Sequence, residues 1–210
     1  MSDQILSDKF LEVIERRRAA AGYRTVRELL KDEANAYLDP FSTLISVHAV
    51  LGKGNTFMSN VRIDAAEDAF VLGNENWIGE GTRFEVINGG QLTIEDDNRI
   101  GPHAVAFLVN RAEARTVVGS GTRLIGRVDV IGSCQLGHGT QVIGDVTVTN
   151  VVLGAGGSHE EPDPDQRGAV LKGHGRAHGL RIDAGQVVNG SGDFSVAPVE
   201  RQSSYHPKGR

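Results

Sequence analysis

Apolar residues recur every six positions along most of this chain, beginning with Ile45, Leu51, Phe57 and Ile63. That spacing suits neither the 3.6-residue period of a helix nor the plain alternation of a strand, so something turns every six residues. Between Val118 and Leu153 the rhythm runs without a slip through Val118, Leu124, Val130, Leu136, Val142 and Val148. Two residues ahead of five of these stand Thr122, Val128, Cys134, Thr140 and Val146, all small or β-branched. Between the members of each pair lie Arg123, Asp129, Gln135, Gln141 and Thr147, so each short segment reads inward, outward, inward, as a strand requires. The rest of each hexad must turn a corner, and Gly119, Gly126, Gly132, Gly137 and Gly144 stand there, where a positive φ strains glycine least. Three strands and three corners make one triangular coil.

The first forty residues follow a different rule. Phe10, Leu11, Val13 and Ile14, with Ser7 as cap and Gly22 as stop, predict one helix. Thr25 and Glu28 at capping-box spacing, with Val26, Leu29 and Leu30 as an apolar stripe, predict a second that Asp39-Pro40 closes. The pair is expected to pack on one end of the coils and hide an open sheet edge. The apportionment that follows is a helical cap over 1–42, coils over 43–195 with an excursion at about 155–169, and an extended tail over 196–210.

A longer repeat supports the coils. VGSGTRLIGRVDVIGSCQ from Val118 is followed by LGHGTQVIGDVTVTNVVL, and IGPHAVAFLVNRAEARTV from Ile100 aligns before them at the same eighteen-residue spacing. IGEGTR from Ile78 is a corner of the same kind, set off by an insertion around Asn88-Gly89-Gly90. Periodic self-similarity of this sort marks a stacked solenoid. These hexads resemble those of the hexapeptide-repeat acyltransferase superfamily, an apolar residue followed by Gly with a small residue four places on. VGSGTR and LGHGTQ follow that pattern, LIGRVD, VIGSCQ and VIGDVT carry the Gly one position late, and the resemblance spans roughly residues 45–195. It implies a mainly β chain folded as a left-handed parallel β-helix, assembled as a homotrimer with active sites in the clefts between neighbouring subunits. Ile125 and Ile143, eighteen apart, and Ile131 on the next face lie just outside the inward positions. They are expected either to be buried by a neighbouring subunit or to tuck beneath the corners of their own prism.

Composition narrows the function classes. A length of 210 residues suits one core-bearing domain with a small appendage. A net charge of -5 provides no basic footprint, so neither nucleic acid nor an anionic membrane is expected as a partner. The single Cys134 forms no internal disulfide, MSDQILSDKF lacks the apolar run of a signal peptide, and no bilayer-length apolar stretch exists, which together predict a cytoplasmic location.

Seven histidines are the main chemical candidates, and four sit in or beside the coils or in the excursion: His48, His103, His138 and His159. None falls on an inward position. In the acyltransferases that the hexads resemble, a histidine at the intersubunit cleft is the general base that deprotonates an acceptor amine or hydroxyl as it attacks an acyl-CoA thioester. The resemblance therefore nominates His159, His138 and His103 as catalytic, acyl-CoA as co-substrate and a small molecule as acceptor. His159 leads because the coil rhythm stops after Leu153-Gly154, GSHEEPDPDQRG intervenes, and the rhythm resumes loosely with VLKGHGRAHGLRIDAGQVV. Glu160, Glu161, Asp163 and Asp165 can orient an imidazole or repel a polyanion; a mobile acidic surface loop is the other reading.

A metal site is the second chemistry to weigh. The superfamily is also similar to γ-class carbonic anhydrases, whose signature is roughly G-H-x-x-x-x-H; Gly137-His138 supplies the first histidine, but Ile143 stands in place of the second. His103 and His138 are expected at the same corner two coils apart, about 10 Å at the usual strand spacing, too far to share a zinc that binds nitrogen at ~2.0–2.1 Å. No metal is expected. His174 and His178 sit four apart, but Gly173, Gly175 and Gly179 argue against a helix that would align them. Cys134 reads as a small apolar filler, and GAGG at Gly154 and GSG at Gly190 as corners rather than phosphate loops. The tail, with Arg201, Tyr205, His206 and Lys208, is expected to run along the outside of the prism toward a neighbouring subunit or an anionic cofactor, or to lack fixed structure. Three functions remain open: an acyl-CoA-dependent acyltransferase with its site in a trimer cleft, a non-catalytic trimeric scaffold or binding protein, and a γ-carbonic-anhydrase-like metal hydratase.

Overall fold

The computed structural model describes residues 2–206, with side chains from residue 8 onward. The chain is mainly β, a parallel β-helix preceded by two helices. Its first face stacks strands at Ala36, Thr56, Trp77, Arg99, Arg123, Gln141, Val170 and Val187, each the register partner of the next. The second face begins at Leu44, Arg62 and Arg83, and the third at Val50, Val71 and Thr93. Every pairing between coils is parallel.

The six-residue rhythm maps onto the interior. Val118, Leu124, Val130, Leu136, Val142 and Val148 are all buried, as are Thr122, Val128, Cys134, Thr140 and Val146. Arg123–Ile131 and Gln141–Thr149 are unbroken strands paired residue for residue, bending through Gly126 and Gly144 at φ of 103° and 121°. Gly119 and Gly137 play a different part from the one expected, since neither has a positive φ. A Cβ at Gly119 would stand 2.6 Å from His138 N and one at Gly137 2.6 Å from Ala155 N, so these two glycines let successive corners stack closely. The left-handed residues of those corners are Gly121 and Gly139, at φ of 66° and 68°.

The eighteen-residue repeat stops short of Ile100. Ile100 stacks on Leu124, twenty-four residues on, while Val118 stacks on Ile94 and Leu136. Earlier coils are longer because residues are inserted at their corners, including the left-handed His103 and Ala104. Large side chains pack inside these coils: Phe84 stacks on Phe107 at 5.0 Å and meets Phe70 edge-on at 5.2 Å.

A ladder of asparagines, buried from Asn55 onward, runs up the corner that enters the first face. Asn35 Oδ1 accepts from Asn55 N–H, Asn55 Oδ1 from Asn76 N–H and Asn76 Oδ1 from Asn98 N–H, each at 3.0 Å. Asn98 Oδ1 then accepts from Thr122 N–H at 2.7 Å, and Thr122 Oγ1 meets Thr140 Oγ1 at 3.4 Å. Each amide satisfies a backbone donor that the corner would otherwise bury unpaired.

Both ends of the prism are closed. Helix α1, Ser2–Ala20, ends in a Schellman turn, with Tyr23 N–H on Arg18 O and Gly22 N–H on Ala19 O around the left-handed Gly22. It begins ahead of Ser7, which therefore lies inside the helix rather than capping it. Helix α2, Val26–Lys31, has the expected Thr25–Glu28 capping box and buries Val26 and Leu29, the latter among the core residues, but leaves Leu30 exposed. It stops well before Asp39-Pro40, because the Asp32 carboxylate takes Ala34 N–H, Asn35 Nδ2 and the Tyr37 hydroxyl and pulls the chain out of the helix. Between the two helices, Tyr23 pairs antiparallel with Ser46. At the far end Phe194 plugs the interior and Val199–Arg201 runs antiparallel to the last strand of the first face. Lys208 lies outside the described residues.

Candidate functional site

The excursion after Leu153 is an ordered loop. Gly156 N–H reaches His138 O at 2.9 Å, Gly157 N–H reaches Gln166 O at 2.8 Å, and Gly168 N–H returns to Gly157 O at 2.9 Å. Arg167 Nε holds Glu161 O at 2.7 Å from inside the loop, and the Asp165 carboxylate accepts from Ser203 N–H and Oγ–H of the tail. So pinned, the loop lays His159 over the first face. There Trp77, Arg99 and Arg123, register partners in three successive layers, point outward at intervals of about 4.8 Å. His159 and these three line a cleft of about 430 Å³, with Glu75, Asp97, Ser158 and Glu160 at its walls.

The electrostatics of the cleft are uneven. The Arg99 guanidinium lies on the Trp77 ring, 4.8 Å from its centroid. Arg123 Nε is buried without a hydrogen-bond partner among the described residues, and burial, followed by repulsion from Arg99, lowers the pKa of that guanidinium. Among the described residues neither Arg99 nor Arg123 is in an ion pair. The His159 pKa is lowered too, first by desolvation and then by Arg123; Glu160, 4.0 Å away, opposes this, while Arg167 and Arg99 add to it. An imidazole held below its ordinary value keeps a ring-nitrogen lone pair available down to lower pH than a free one.

The other nominated histidines are not brought to this cleft. His138 faces the other side of the same corner, in a groove over the third face with Val117, Gln135 and Val152. Its Nδ1 accepts the Ser120 N–H at 3.0 Å and lies 3.4 Å from Glu95 Oε2. His103 is exposed on the corner that leaves the first face, and because Ile100 stacks on Leu124 it does not share a corner with His138 as expected. His48 is exposed; His174 and His178 belong to the strand Val170–His178, with His174 Nε2 against Ser191 Oγ. No three His, Cys, Asp or Glu come together as a metal-ligand set among the described residues. Cys134 is buried and its thiol pKa is pushed up by that burial. Ile125, Ile131 and Ile143 are half-buried within their own chain, Ile143 close to Tyr205 and His206. On the third face the outward Val50, Val71 and Val117 are exposed. No helix among the described residues is long and apolar enough to cross a membrane.

The residues that the sequence did not single out are Trp77, Arg99 and the asparagine ladder beneath them. A signal was present: Asn76-Trp77-Ile78, Asn98-Arg99-Ile100 and Thr122-Arg123-Leu124 repeat inward, outward, inward, with Asn in the place taken by Thr in later coils.

No family model matches the chain, and no curated protein does. Among solved structures, a mutant of perosamine N-acetyltransferase from Caulobacter crescentus in complex with CoA and GDP-perosamine is 19% identical, over 80% of this chain and 57% of that one, at a TM-score of 0.25. PerB from Caulobacter crescentus, in complex with the same two ligands, is 18% identical over 89% of this chain and 66% of its own, at a TM-score of 0.22. This chain thus spans less than two thirds of either protein. Likeness at that level bears on neither fold nor chemistry, which rest on the strand register and the cleft.

Proposed function

We propose that this chain is an acyl-CoA-dependent acyltransferase that acts on a small amine or hydroxyl, with His159 as its general base. The supporting observation is the placement of His159: an ordered loop carries its imidazole, whose pKa is held below the ordinary value by desolvation and by Arg123, over a cleft that also holds two arginines. The hexads, which resemble those of hexapeptide-repeat acyltransferases, set the reaction class. In the step proposed, the imidazole takes the proton of the acceptor N–H or O–H as that atom attacks the thioester carbonyl. The new C–N or C–O bond forms, the C–S bond breaks, and the CoA thiolate leaves and is protonated. Association as a homotrimer belongs to the same reading, with the exposed Val50, Val71 and Val117 of the third face as the surface to be covered.

Titration calorimetry with acetyl-CoA tests the proposal. A saturable heat is expected; none at millimolar ligand would leave a scaffold or binding protein. Sedimentation equilibrium tests the assembly, for which three copies are expected and a monomer would refute the trimer.

A further inference from the structure

The fold stacks arginines on two faces, and the chain treats the two stacks differently. On the second face Arg62 and Arg83 are register partners in adjacent layers, as Arg99 and Arg123 are on the first. Each arginine of the second-face pair has an acid two residues on, pointing the same way from the same strand: Arg62 is paired with Asp64 and Arg83 with Glu85. On the first face the equivalent positions are Gly101 and Ile125, neither of them acidic. Glu75, Asp97 and Glu160 line the cleft but form no ion pair with either guanidinium. Two like charges one strand layer apart repel, and a buried guanidinium N–H without an acceptor is costly. Arg99 is nevertheless held in place by the face of Trp77, and Arg123 keeps its Nε buried. The two guanidinium groups thus form a preorganised fork with no acid two residues on from either.

From this we infer that Arg99 and Arg123 form an oxyanion subsite that binds a phosphoryl or carboxylate group of a ligand entering the His159 cleft, with Trp77 as the positioning residue beneath Arg99. That the ligand is a co-substrate rests on the acyl-transfer reading; the anion site itself does not. Planar guanidinium groups match the spacing of such oxyanions and bind them through paired, charge-assisted hydrogen bonds. The donor, through a phosphate of CoA, and an anionic acceptor are the two sources of that chemistry.

The chain has one tryptophan, and it is Trp77, so the native protein carries its own reporter. Inorganic phosphate is titrated at constant ionic strength, with sodium chloride as the blank. The emission of Trp77 is expected to change saturably with phosphate alone. In Arg123→Gln and Arg99→Gln the phosphate affinity should fall about tenfold or more, the loss of one charge-assisted contact, and in Arg123→Lys by less. Circular dichroism of each variant establishes that it has folded; should a glutamine variant fail to fold, the lysine variant decides. No saturable response in the native protein, or equal affinity in the folded variants, overturns the subsite. Competition between CoA and phosphate would assign the subsite to the donor, and simultaneous binding of both would assign it to the acceptor. Phosphate binding without any acetyl-CoA heat would sink the acyl-transfer reading and leave the anion site standing.

Discussion

The two sides of one corner make an instructive pair. Near-identical hexads, VGSGTR and LGHGTQ, build the turn that carries the chain from the third face to the first. On the third-face side His138 is engaged: Ser120 N–H occupies its Nδ1, Glu95 stands beside it, and the groove around it is lined by Val117, Gln135 and Val152. On the first-face side His159, brought in by the loop, has Glu160 at 4.0 Å and no hydrogen-bond partner among the described residues, and it sits in the field of Arg123 and Arg99. The backbone of a solenoid corner is shared by the faces it joins. What differs is the outward residue that each strand presents and what an excursion lays across it. Function on such a scaffold is therefore a property of one face, not of the repeat.

The sharpest way to break this contrast is to remove each histidine in turn. His159→Ala is expected to lower turnover by about 10²–10⁴, the range for a lost general base, while His138→Ala leaves it nearly unchanged. Release of free CoA thiol from acetyl-CoA, in the presence of a panel of small amines, measures both; equal losses would dissolve the distinction. A smaller effect comes from the floor of the cleft. Asn98→Ala strips the buried Thr122 N–H of its acceptor and should lower unfolding free energy by about 1–3 kcal/mol in urea. Ser120→Ala, on the exposed His138 side, should stay within about 0.5 kcal/mol. If the two substitutions cost the same, the ladder does not support the cleft.

The finest test is titration. In proton NMR the His159 midpoint is expected below the ordinary imidazole value, and Arg123→Gln should raise it, because removing a neighbouring cation eases protonation. An unchanged midpoint would mean that the Arg123 field does not reach the ring. The same sign governs activity. A base that must be unprotonated loses rate only as pH falls through its pKa, so with that pKa lowered, turnover should persist to more acidic pH than an unperturbed imidazole allows.

How far the chain could be read depended on what kind of constraint each residue obeyed. Val118 through Val148 were legible because a narrow prism admits only apolar or small side chains at fixed intervals, and that requirement is local. The stacking of Ile100 on Leu124 was not, since inserted corner residues shift register without disturbing the local pattern. The asparagine ladder also escaped the pattern. Asn55, Asn76 and Asn98 are polar in an inward position, and their burial makes sense only once each side chain is seen to accept a backbone N–H from the coil above.

Hydrophobic periodicity, a relation between neighbours along the chain, was sufficient by itself to establish a coiled β body and its inward residues. Which distant side chains would share a surface was decided only when the coils stacked. The strand spacing of a parallel sheet sets Trp77, Arg99 and Arg123 one above another, and the hydrogen bonds of the excursion swing His159 across them rather than toward His138. Those contacts join residues up to about eighty positions apart, and no pattern confined to six residues encodes them.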